Sequence, residues 1–179
     1  MLEQTNTALL VIDFQDKLLA KIFNAGAIVP CAIRLIRFAQ ELRLPIVTTE
    51  QYPRGLGPTT ETVARELSGA VPITKTAFGC MGEPGFVTAL QGAGRSQLLV
   101  TGIETHVCIM QTVLAALEAQ YETFVVRDAV GSRRAGDHEA ALARMEKAGA
   151  VLVSTEMAMF EILRDAATPE FKKVLPLLK

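Results

Sequence analysis

Six short runs constrain this chain most: "TALLVID" (7–13), "LPIVTTE" (44–50), "AVPITK" (70–75), "SQLLVTG" (96–102), "ETFVVRD" (122–128) and "GAVLVST" (149–155). Most are β-branched or leucine-rich and lack strict polar alternation. An alternating strand has one wet face, whereas a strand apolar throughout is covered on both. Helical periodicity fills the longer intervals, in "IVPCAIRLIRFAQELR" (28–43), "THVCIMQTVLAALEAQ" (105–120) and "DHEAALARMEKAG" (137–149), the last closed by Gly149 as a helix-ending residue. A weaker helical pattern lies near 59–68, and a short C-terminal helix is expected after Thr168. Strand and helix repeated in this way imply right-handed crossovers and a three-layer α/β/α arrangement around a six-stranded parallel sheet. There is no repeat or linker, so residues 1–179 are expected to form a single domain.

Charge and cysteine usage narrow the partners. With 18 Lys+Arg against 19 Asp+Glu, nothing favours nucleic acid or an anionic membrane surface. Cys31, Cys80 and Cys108 are odd in number and lack zinc-type spacing, which points to a reducing, cytoplasmic setting. The opening segment "MLEQTNTALLVIDFQDK" has no basic leader, and its apolar run is too short to span a membrane. No G-x-G-x-x-G follows the first strand and no phosphate loop surrounds Gly55 and Gly57, which counts against a nucleotide-binding reading.

Open parallel sheets gather chemistry beyond the carboxyl ends of their strands. Here those ends carry an acid, Asp13, a base, Lys75, and, after the fourth strand, a thiol, Cys108. Each alone has an ordinary explanation: a capping aspartate, a loop lysine, a small core residue. Together they suggest a Cys–Asp–Lys triad, which requires the first and fourth strands to be neighbours. A cysteine in the first turn of a helix sits among unpaired N–H groups, and with an ammonium nearby its pKa is expected to fall. Asp13 is then the proton carrier.

The segments "LLVIDFQ", "ITKTAFG" and "VTGIETHVCIMQT" resemble, in order and spacing, the isochorismatase-like cysteine hydrolases, which include nicotinamidases and N-carbamoylsarcosine amidase. The similarity runs along essentially the whole chain. "TEQYPRGLGPT" and "DAVGSR" resemble more narrowly the small isochorismatase-domain-containing hydrolases. The resemblance implies an isochorismatase-like, Rossmann-like fold and a homo-oligomer, dimer or larger. It also implies a non-proline cis peptide between Ile103 and Glu104, with the Glu104 and Cys108 N–H groups as an oxyanion hole. The Asp-x-His-His metal signature of nicotinamidases is missing from "TTEQYPRGLG", so neither metal nor other cofactor is expected. The leading reading is hydrolysis of a small-molecule amide, ureide or related C–N bond through a thioester. Vinyl-ether hydrolysis of the isochorismatase type, or a catalytically silent scaffold, are the alternatives.

Phe14, Gln51, Tyr52 and Phe78 flank strand ends and are candidates to line the substrate pocket. Cys31 is read as packing, Cys80 as a loop spacer and His106 as a surface or interface residue. Arg127, Asp128, Ser132 and Arg133 are read as a subunit contact or salt-bridge network.

Overall fold

The computed structural model describes residues 1–67 and 69–178. Its strands are β1 (Thr7–Ile12), β2 (Ile46–Gln51), β3 (Ile73–Lys75), β4 (Gln97–Ile103), β5 (Glu122–Gly131) and β6 (Val151–Val153). They form one parallel sheet in the order β3-β2-β1-β4-β5-β6. The chain builds outward from β1 to β3, then returns to lay β4 on the other side of β1. That reversal opens a crevice beyond the ends of β1 and β4, the place where doubly wound sheets bind ligands.

The absence of polar alternation has a direct structural counterpart. Along β1, Leu9 and Val11 enter one core, while Ala8, Leu10 and Ile12 enter the other. Along β4 and β5, Leu99, Phe124 and Val126 face the first core and Leu98, Val100 and Val125 the second. Short helices α1 (Asp16–Leu19), α3 (Pro53–Leu56) and α4 (Glu61–Ala64) lie on loops, and the long helix α2 (Ala25–Glu41) covers the first face. Its buried residues Ile28, Ala32, Leu35, Ile36 and Ala39 recur at helical spacing. Helices α5 (Pro84–Ala93), α6 (Met110–Glu118) and α7 (Ala135–Lys147) cover the second face. Helices α8 (Thr155–Leu163) and α9 (Pro169–Val174) return to the first.

Two helices depart from the sequence reading. Residues 84–93 contain two glycines and little periodicity, yet Pro84 at the first position and the Glu83 side chain accepting from Gly85 N–H start α5. The run 149–155 supplies only three strand residues, because Ser154 caps α8 through Met157 N–H at 3.2 Å. The segment 59–68 yields the single turn of α4, and its last residue, Ser68, lies outside the described residues. Thr168 caps α9 as expected, accepting from Phe171 N–H at 3.2 Å. Among the described residues no helix is long and apolar enough to cross a membrane.

Because α2 seals one whole face, Leu35→Ala, at a fully buried position, should destabilise the protein by about 2–5 kcal/mol. Val71→Ala, at an 84% exposed position, should stay within about 0.5 kcal/mol. Denaturant midpoints at constant m-value check both.

Candidate active site

The crevice is built by three local devices. Asp13 follows β1 with φ of 56°, a left-handed turn that Asp tolerates better than most residues and that ends the strand. Its N–H still donates to Thr49 O at 3.1 Å, so the turn stays pinned to β2. Gly102, near the end of β4, has φ of 136°, and a Cβ there would collide with the Ile12 carbonyl oxygen. Only glycine lets β4 press against the end of β1 at this point. Beyond it lies the cis peptide between Ile103 and Glu104, at the bond the family resemblance implies.

The third device is a π-type turn over Thr105–Ile109, which precedes α6. The Glu104 carbonyl accepts from Val107 N–H at 3.0 Å and from Ile109 N–H at 3.2 Å. The wide turn skips Cys108, so among the described residues neither its N–H nor that of Glu104 donates to a backbone carbonyl of another element. Glu104 and Cys108 both line the crevice at the start of a helical segment, where backbone N–H groups favour negative charge.

Under this turn lies a buried ion pair. Lys75 Nζ donates to Asp13 Oδ2 at 2.7 Å, and both side chains are 0% exposed. The ammonium also reaches Gln51 Oε1 at 2.6 Å, Phe78 O at 3.0 Å and Ala77 O at 3.3 Å. Four acceptors share three N–H bonds, so Lys75 has none to spare for a thiolate. Thr49 Oγ1 donates to the other Asp13 oxygen at 2.8 Å. Burial acts to lower the Lys75 pKa, but the Asp13 charge, with smaller help from the Cys80 and Cys108 sulfurs, outweighs it, and the net shift is upward.

Cys108 completes the group. Its thiol is buried, close enough to Asp13 and Lys75 for both charges to act on it. The expected fall in pKa does not occur: burial first, then the Asp13 charge, push the thiol up to about 12 against the pull of Lys75. Burial is the leading cause, and the Asp13 charge beside Lys75 offsets much of what the ammonium would do. Cys108 is therefore a protonated thiol facing a carboxylate acceptor, rather than a standing thiolate.

A cleft of about 290 Å³ opens over the thiol. Leu18, Leu56, Phe78 and Val107 form its apolar walls, and Gln51, Glu104 and Arg133 its polar edge. Phe78 and Gln51 thus line the cleft as expected, with Gln51 also holding Lys75. Phe14 does not: following the turn at Asp13 it points into the core beneath α2, 1% exposed. Nor does Tyr52, whose ring is half exposed and lies over Gly55. Leu18, Leu56 and Val107 escaped sequence reading because apolar residues on short elements are indistinguishable from core.

Arg133 Nε and Nη2 grip Glu104 Oε2 and Oε1 at 3.0 and 2.6 Å, and Arg133 N–H adds a third bond at 3.1 Å. Burial alone would raise the Glu104 carboxyl, but these bonds and the guanidinium charge hold it below the usual carboxylate range. The salt-bridge expectation for this segment is met here, at the cleft. Asp128 instead caps α8, accepting from Thr155 N–H at 2.8 Å and Thr155 Oγ1 at 3.1 Å.

Cys80 is no loop spacer. It is fully buried, 4.0 Å from Thr49 Oγ1, and burial pushes its thiol up to about 11. Cys31 is half-buried against the first core. His106 is tied to Ser132 Oγ at 3.0 Å, and His138 to Thr105 Oγ1 at 3.0 Å, so the two histidines brace the turn. Among the described residues no three His, Cys, Asp or Glu side chains converge as metal ligands would.

Fold and crevice together define a doubly wound α/β protein with a thiol, an acid and an ammonium at the switch point. Residues 7–157 match the isochorismatase domain model, and the chain belongs to the isochorismatase family, a hydrolase-type domain. It is 39% identical to isochorismatase domain-containing protein 2A of Mus musculus over 97% of this chain and 83% of that protein. Among solved structures, the MAR1 ribonuclease of Caenorhabditis elegans is 37% identical with a TM-score of 0.93, covering 99% of this chain and 91% of that one. The YcaC gene product of Escherichia coli, described as an octameric hydrolase of unknown specificity, is 25% identical with a TM-score of 0.92, covering 98% and 89%.

A thiol raised to about 12 is protonated at neutral pH, so alkylation of Cys108 by iodoacetamide should rise about tenfold per pH unit between pH 7 and 9. Asp13→Asn removes the charge that helps hold the proton, and should speed labelling at pH 8 by on the order of tenfold. Peptide mass mapping of the labelled site provides the readout.

Proposed function

We propose that this protein hydrolyses a C–N bond of a small amide, ureide or related molecule through a thioester on Cys108. The observation that carries this reading is the buried Lys75–Asp13 pair set against the Cys108 thiol. As Cys108 Sγ attacks the substrate carbonyl carbon, its proton passes to Asp13. The tetrahedral oxyanion is met by the N–H groups of Glu104 and Cys108. Collapse breaks the C–N bond, and Asp13 returns the proton to the departing nitrogen. Asp13 then takes a proton from water, which attacks the thioester carbonyl. The acid product leaves, and the proton restores the thiol. Lys75 stays protonated throughout and stabilises the Asp13 charge.

A raised thiol pKa suits this order of events. The proton moves only while the S–C bond forms, so the site does not hold a standing nucleophile open to oxidation. In this reading residues 1–179 act as one metal-free and cofactor-free domain within a homo-oligomer, as the octameric neighbour suggests. Three free thiols fit a reducing cytoplasm. Vinyl-ether hydrolysis of the isochorismatase type is the runner-up, and it has less use for the thiol. Phosphodiester cleavage, prompted by the C. elegans neighbour's name, fits less well. The cleft walls are apolar, its one guanidinium is already on a carboxylate, and neither histidine lines it.

Ammonia release across a panel of small amides, with intact-mass detection of an acyl adduct, tests the proposal. Cys108→Ala and Asp13→Asn should each lower kcat by about a thousandfold or more, the first with the fold intact and the second with a loss of stability because the buried Lys75 ammonium is left unpaired. Lys75→Met strands a buried carboxylate and should also destabilise the protein by about 3–5 kcal/mol. Full activity in Cys108→Ala, or turnover of RNA but of no amide, would overturn the reading.

A further inference from the structure

We propose that the cleft selects neutral, apolar acyl groups, such as short aliphatic or aromatic primary amides, and that the Glu104–Arg133 pair sets this preference. The inference rests on the amide-hydrolase reading and names its substrate class. The two charged side chains that line the cleft, Glu104 and Arg133, are paired with each other, and the ammonium beneath it is paired as well. Lys75 is closed by Asp13, and Arg133 meets both oxygens of Glu104. The polar amide of Gln51 is also committed, its oxygen to Lys75 and its nitrogen to Thr76 O at 2.9 Å. What remains to contact a substrate's acyl chain is Leu18, Leu56, Phe78 and Val107.

An anionic acyl group would have two poor options. It could lie on the apolar walls without a partner, or it could compete with Glu104 for a guanidinium already held in bidentate geometry. The competition is the harder because Glu104 is covalently tethered beside the oxyanion turn and keeps its charge. A neutral alkyl or aryl chain loses nothing and gains burial. Glu104 therefore acts as a built-in occupant of the position a substrate carboxylate would need, which makes discrimination a matter of repulsion as well as fit.

The test uses the full chain and two readouts, ammonia release and protection of Cys108 from iodoacetamide. The compounds are propanamide, butanamide, pentanamide and succinamate, the last carrying a terminal carboxylate. We expect kcat/KM to rise about fourfold per methylene until the cleft is full. Succinamate should fall about tenfold or more below butanamide, and Glu104→Gln, which leaves the backbone N–H in place, should raise the succinamate-to-butanamide ratio by about tenfold. If that variant fails to fold, Arg133→Met, at a mostly exposed side chain, should lower the same ratio instead. Succinamate preferred by the native protein, or a ratio unmoved by either substitution, overturns the inference. Turnover with the preference reversed sinks this inference and leaves the hydrolase reading standing. Protection in the neutral-over-anionic order without any turnover does the opposite. Neither turnover nor protection by any of the four overturns both.

Discussion

The buried contact between Lys75 and Asp13 is the interaction around which the crevice is organised. Two side chains at 0% exposure exchange full hydration for each other, Thr49, Gln51 and two carbonyl groups. Such a pair contributes little net stability, and well-packed apolar residues of similar volume often do as well. Removing one partner is far worse, since the other charge is left stranded. The surrounding structure is accordingly devoted to satisfying it. The edge strand β3, only three residues long, ends at Lys75, and the loop after it turns the Ala77 and Phe78 carbonyls back onto the ammonium. Gln51 at the end of β2 holds Lys75 with its side chain, while its backbone is gripped on both sides by the buried amide of Gln15. These bonds tie β1, β2 and β3 to one point.

That arrangement has a consequence on the other side of the switch point. Asp13 can meet the thiol only if β4 approaches β1 closely, and the approach depends on Gly102 having no side chain. The wide turn after β4 then places Cys108 at the crevice, with its N–H near the start of a helical segment. Two histidines on opposite sides hold this turn, one through Ser132 and one through Thr105. Burial lowers the pKa of His138, which favours its neutral ring. The proposed oxyanion donors thus depend on backbone geometry that is braced by Ser132, just past β5, and by His138 of α7.

The sheet was legible in the sequence because strands covered on both faces carry an unusual pattern, apolar without alternation. Helices α2, α6 and α7 were legible through their periodicity, whereas α5 and α8 depend on caps at Glu83 and Ser154 that periodicity does not register. Asp13, Lys75 and Cys108 stood out because three unlike reactive groups ended on one edge. What remained hidden follows from geometry perpendicular to the chain. Phe14 and Phe78 look equivalent as aromatic residues beside strand ends, yet the left-handed turn at Asp13 sends Phe14 into the core. Arg133 lies 29 residues from Glu104 and only folding brings them together. The thiol pKa departs from the sequence expectation first because the side chain is buried, and then because Asp13 stands beside the ammonium. An ammonium close to a cysteine lowers its pKa only to the extent that its charge is unspent, and hydrogen-bond partners cannot be counted from sequence.

The same charge arithmetic links the thiol to the cleft. Where each cation is closed by an anion, the interior is polar in detail and neutral in sum, and an entering group feels the apolar walls more than any field. In the proposed reaction the thiol keeps its proton until a carbonyl arrives to accept the sulfur electrons, because only then does negative charge move from sulfur toward the Glu104 and Cys108 N–H groups. Protonation of Asp13 in that step would relieve the repulsion between carboxylate and developing charge, and Gln51 and the two carbonyls would go on holding Lys75. Those additional acceptors are therefore more than support for a static ion pair. In the proposed mechanism they let the Asp13 charge come and go without releasing the ammonium, as proton transfer in both directions requires.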